Sequence, residues 1–151
     1  MSKSPHAADR DEVLRQKFPD AVRVEVGSTP LRVVLSRYEA AGYPISEYLR
    51  AVMEDYHEVA IVWLFGDLEI ALSVAVEDAI EIYPGNVRIY SRRVGKPLTP
   101  LGLAFDTEEA VLLAEDEDVY LAGDAGMQYV GNGFVKSVRA LISGEWDKTF
   151  F

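Results

Sequence analysis

Few side chains in this 151-residue chain sit in patterns that could do chemistry. His57 ends an apolar-periodic stretch beside Asp55 and Glu58, while His6 lies in a polar N-terminal segment. Two histidines on one helix face could hold zinc, but no His-Glu-x-x-His occurs and none shares a face with His57. A lone histidine near a helix C-terminus is more often a favourable dipole contact than a catalyst. The absence of cysteine removes disulfides, thiolate metal sites and cysteine nucleophiles together. None of the serines stands in a Gly-x-Ser-x-Gly elbow. Gly123, Gly126, Gly131 and Gly133 are not followed by the Gly-Lys-Ser/Thr of a phosphate loop. Arg92, Arg93 and Lys96 could grip a phosphate, yet they read more simply as the solvated side of a helix. The 25 acids offer many carboxylate pairs for acid–base work, and spacing alone does not select one. The expectation is a non-enzymatic protein with no cofactor.

The acids are most concentrated between Asp106 and Val135, where Asp106, Glu108, Glu109, Glu115, Asp116, Glu117, Asp118 and Asp124 stand without a single base. A calcium loop alternates oxygen ligands with spacers, turns on a glycine at its sixth position and closes on a glutamate. Glu115–Asp118 has none of that spacing. Set between Val111-Leu112-Leu113 and Val119-Tyr120-Leu121, the four carboxylates read as a hairpin turn facing water. We expect these eight residues to form an uncompensated acidic strip that binds a partner, with replacement of the turn acids hardly affecting stability.

Charge narrows the partner. Residues 1–37 carry seven bases against five acids, 38–87 carry ten acids and only Arg50, and 88–105 carry four bases and no acid. With a net charge of -10, the chain repels nucleic acid and anionic lipid, which need a basic face. It attracts a basic protein and speeds the encounter. Acidity can also serve solubility alone, but its clustering favours a partner. The N-terminus lacks the apolar core of a signal peptide. The longest apolar run, Val59–Phe65, is far short of a membrane span. A cytoplasmic protein is expected.

The elements that must position these residues follow from apolar period. Residues 1–9 read as a loose tail. Val13, Leu14 and Phe18 suggest a short helix ending at Pro19, and Val22, Val24 and Val26 an edge strand. Thr29-Pro30 reads as an N-cap with proline at the first helical position. Leu31, Val34, Leu35, Tyr38 and Ala41 then share a face, with Gly42 supplying the left-handed end. Ser46 opens a second helix with Leu49, Val52, Met53 and Tyr56 on one side, so the two fold back as a hairpin. Strands are expected at 58–64 and 68–74 near the sheet centre, and helices at 77–83 and 84–94, broken by Pro84. A strand meander then ends at Gly131-Asn132-Gly133, read as a turn with an N-cap for a last amphipathic helix. Trp146, Phe150 and Phe151 form an aromatic C-terminal tail, 145–151, that either staples back onto the domain, the favoured reading, or presents a sticky contact. The whole is one α+β domain over 1–151, helices packed on one face of a mainly antiparallel sheet.

Two stretches carry a family resemblance. The end, from Pro97 through Val119-Tyr120-Leu121 and Gly131-Asn132-Gly133 to Gly144, is similar to the end of the SUKH superfamily, and its third group looks closest. Tyr38-Glu-Ala-Ala-Gly-Tyr-Pro-Ile-Ser-Glu-Tyr-Leu resembles that group's helix, Ala-Gly-aromatic-Pro turn and second helix. The match departs at His57-Glu58, where the group often has glycines after an aromatic, and the 145–151 tail has no counterpart. The resemblance implies a SUKH-like fold and a bacterial immunity protein that neutralises a cognate polymorphic toxin by occluding it. Many such toxins are nucleases or nucleic-acid deaminases with basic grooves that an acidic face would cover. Two other readings stand beside this one. A SUKH-like regulatory scaffold would have no toxin partner, and a small carboxylate-dependent enzyme would show turnover.

Overall fold

Alternating apolar residues build one sheet, and two helical excursions interrupt its meander. The structure is a computed structural model describing residues 5–151, with side chains from Arg10 onward. The strands are β1 (Arg23–Val26), β2 (Val59–Phe65), β3 (Leu68–Val74), β4 (Leu98–Ala104), β5 (Glu109–Ala114), β6 (Asp118–Gly123) and β7 (Gly126–Asn132). They lie side by side in chain order, every neighbouring pair antiparallel. Helix α1 (Pro5–Lys17) precedes β1, while α2 (Leu31–Ala40) and α3 (Glu47–Tyr56) join β1 to β2. Helices α4 (Val76–Glu81) and α5 (Pro84–Val94) join β3 to β4, and α6 (Phe134–Ser143) follows β7. The α+β reading with an antiparallel sheet is borne out, as is the edge position of β1; β2 and β3 are interior strands, but β2 lies next to the edge and β4 is the central one.

The two faces of the sheet hold separate cores. In β5, Val111 and Leu113 belong to the larger core and Ala110, Leu112 and Ala114 to the smaller. The larger core takes its helical side chains from α1, α2, α3, α4 and α6, among them Leu14, Tyr38, Met53 and Phe134. Helix α5 is the exception to the one-face arrangement. Its Tyr90 and Val94, with Ile82, pack against the smaller core of Leu98, Leu112, Tyr120 and Met127. The reason lies in β5 and β6, whose residues are apolar on both sides, so the second face also needs cover.

Local chemistry explains most element ends and corrects some expectations. Ser46 Oγ accepts from the Leu49 N–H at 3.1 Å and caps α3 as expected. Thr29 does not cap α2; Pro30 occupies the cap position with no side-chain bond, its carbonyl accepting from Val33 and Val34. The segment expected as a loose tail is helical from Pro5, where proline suits a first helical turn; residues 1–4, and the side chain of His6, lie outside the described residues. β7 runs through Asn132, and Gly133, at φ 101°, stands at the start of α6 in a conformation that favours glycine. Asn132 is not the N-cap, because its amide is drawn across the strand pair to Asp116 and Asp118. Where β4 pairs with β3, Gly102 packs against the Ser73 carbonyl so tightly that a Cβ would collide with it.

The aromatic tail folds back. Trp146 stacks on Phe105 with centroids 6.1 Å apart, and its Nε1–H donates to Gln128 Oε1. Phe151 exchanges two backbone hydrogen bonds with Met127, extending the β7 edge, and its ring meets Tyr120 edge-on.

Candidate functional site

Antiparallel strands send successive turns to opposite ends of a sheet, and this divides the eight expected acids. The β4–β5 turn with Asp106, Glu108 and Glu109, and the β6–β7 turn with Asp124, lie at the end that also carries the β2–β3 hairpin tip, Gly66-Asp67. Glu115, Asp116, Glu117 and Asp118 form the β5–β6 turn at the other end, about 20 Å away along six-residue strands. The structure therefore brings together two groups of four rather than one strip.

The group at the β5–β6 turn is not uncompensated. Lys96 Nζ lies 2.8 Å from Asp116 Oδ2 and also binds Asp118. Asp118 Oδ1 accepts from Asn132 at 3.0 Å and Tyr129 at 3.1 Å. Burial pushes the Asp118 carboxyl up, but the hydrogen bonds from Asn132, Lys96 and Tyr129 outweigh it and hold it below the ordinary range. Burial likewise lowers Lys96, and its bonds to Asp116, Asp118 and Tyr120 more than offset that, so its ammonium is held charged. Glu115 and Glu117 remain exposed. The link was hidden because it depends on register: Leu98 pairs with Ala114, which sets Lys96 beside the turn that follows.

The acids at the hairpin end are differently placed. Among the described residues, Asp67, Asp106, Glu108, Glu109 and Asp124 enter no ion pair. At the same end of the sheet stand Phe65, 74% exposed, and Leu64 and Leu68, each 51% exposed. Next to Phe65 and Leu68 opens a cavity of about 530 Å³, with Trp63, Phe105, Asp106 and Trp146 among its walls. Phe105 itself is in the left-handed region at φ 68°, a costly conformation for a bulky residue. The run Val59–Phe65 concealed this feature. Its alternation buries Trp63 and points Phe65 to the same face, beyond the end of α6.

His57 is structural. Its Nδ1 lies 2.7 Å from the Met53 carbonyl, so Nδ1 carries the proton and donates to the last turn of α3. The Arg10 guanidinium donates to the His57 carbonyl at 2.6 Å and to that of Asp55; its 3.3 Å approach to Nδ1 faces a donor. Burial pushes the imidazole down, with Met53 and Glu58 opposing and Arg10 assisting. The expected contact with the helix end is present, made by a ring biased toward the neutral form.

Among the described residues no three His, Asp or Glu side chains converge as metal ligands, and no helix is long and apolar enough to cross a membrane. One end of the sheet thus carries, among the described residues, carboxylates without an ion pair as well as exposed aromatic and aliphatic side chains. The model of the SUKH-3 immunity protein family matches residues 35–144, from within α2 to just past α6, and the chain belongs to that family. Membership gives an immunity role, and with it a cognate toxin as binding partner. No curated protein and no solved structure matches the chain.

Proposed function

We propose that this protein acts in the cytoplasm as a single-domain inhibitor of a polymorphic toxin with a basic substrate groove, a nuclease or a nucleic-acid deaminase. It binds the toxin and covers the groove with carboxylates that take the place of nucleic-acid phosphates. One observation carries this reading: Asp106, Glu108, Glu109 and Asp124 lie with Asp67 at one sheet end and, among the described residues, enter no ion pair. Unpaired charges at the solvent edge are cheap to keep and raise the association rate with an oppositely charged partner. Glu115 and Glu117 add to the long-range field, while Asp116 and Asp118 are partly neutralised by Lys96. Inhibition by coverage requires no catalytic group and no cofactor.

The test is to express the toxin encoded beside this gene with and without this protein, and to assay the purified toxin on nucleic acid. Cells should survive only with both proteins, and toxin activity should fall to background at equimolar inhibitor. Full toxin activity in a several-fold excess of folded inhibitor would refute the proposal.

A further inference from the structure

Resting on that reading, we infer that the hairpin end is a socket for a basic segment of the partner that inserts one large apolar side chain beside the β2–β3 tip. Burial of apolar surface at the centre of a contact, with charge around it, is where interfaces concentrate their binding energy. Phe65 and Leu68 are a cross-strand pair, and both are more exposed than Trp63 and Ile70, the pair below them on the same face. The neighbouring cavity has an aromatic interior: Trp63, Phe105 and Trp146 stand in sequence at centroid distances of 6.0 and 6.1 Å. The left-handed backbone of Phe105 turns its ring into this row. Backbone held in a sparsely populated conformation clusters at ligand clamps and active sites.

The charge of the rim selects the occupant. Asp67 lies between Phe65 and Leu68 in sequence, Asp106 lines the cavity, and Glu108 follows it in the same turn. The one base in the lining, Lys148, lies over the Trp146 ring at 4.5 Å and donates to the Gly144 carbonyl at 2.7 Å. A segment with lysine or arginine flanking its apolar anchor meets complementary charge here, and an acidic one meets repulsion.

Amide NMR of the labelled protein tests this with three capped tripeptides: Arg-Trp-Arg, Glu-Trp-Glu and Arg-Ala-Arg. The first should shift amides of residues 65–68 and 105–107, and the other two should bind about tenfold more weakly or worse. A Phe65→Ser, Leu68→Ser double variant should melt as the parent does and lose the response. Equal shifts with Glu-Trp-Glu, undiminished binding by the double variant, or shifts confined to another face would overturn the inference. A dimer of this chain that Phe65→Ser abolishes would give the socket to a second copy and overturn it too. Toxin neutralisation that persists in the double variant removes the socket and leaves the immunity reading intact; failure of the wild type to neutralise removes the reading itself.

Discussion

The ammonium of Lys96 lies 2.8 Å from Asp116 and is shared with Asp118, tying the segment after α5 to the β5–β6 turn. The same ammonium sits 5.6 Å from the Tyr120 ring centroid. A turn that looks from composition like pure repulsion is thereby a small polar network bridging two parts of the chain.

Replacing Lys96 by methionine keeps the stem and removes the charge. Stability should fall by about 1 kcal/mol, since a network with partly buried members exceeds a solvated pair. For a chain of this size that is about 3 °C in melting temperature. Differential scanning calorimetry in low and in molar salt checks it: the gap between variant and parent should narrow as salt screens the pairs.

Asp118 supplies a pH dependence with a definite sign. Its folded carboxyl is held below its ordinary value. Its contribution is therefore present above the unfolded value, about 3.9, and lost as pH falls through the folded one. The stability gap between the parent and Asp118→Asn should be wide at neutral pH and close in acid below about pH 4. Urea titrations across that range measure it.

Gly102 tests the packing of β4 on β3. A methyl group there would meet the Ser73 carbonyl, and backbone cannot step aside as a side chain can. Gly102→Ala should cost about 3 kcal/mol or more. Gly123→Ala, whose methyl would meet Glu109 Cγ at 3.3 Å, is the control and should cost far less. Denaturant midpoints of the two variants separate these outcomes.

What could be read from sequence was whatever depends on neighbours along the chain. Ser46 as a cap and the buried side of α3 are both local, and both stand as read. The errors share a different origin. Asn132 looked like a cap because its partners, Asp116 and Asp118, come from across the strand pair. Lys96 looked like a solvated base because only the β4–β5 register sets it beside the acidic turn. Helix α5 was placed with its fellows because nothing in its own period says which face of a two-sided sheet it covers. The eight acids looked like one strip because sequence distance ignores the reversal of direction at each turn. Phe65, which a strand at 58–64 leaves in the turn, is the last residue of β2, and its exposure depends on how far α6 reaches over it.

The central claim, that the hairpin end meets a basic toxin, is tested most directly by association kinetics with the toxin encoded beside this gene. Two charge-reversed proteins are compared: Asp106→Lys with Glu108→Lys and Asp124→Lys, and Glu115→Lys with Glu117→Lys. The account predicts that the first set slows association by about tenfold or more at low ionic strength. That gap should shrink toward physiological salt, where the screening length is about 8 Å. The second set should change the rate much less, and both proteins should stay folded. An unchanged rate for the first set, or a larger loss for the second, would contradict the account.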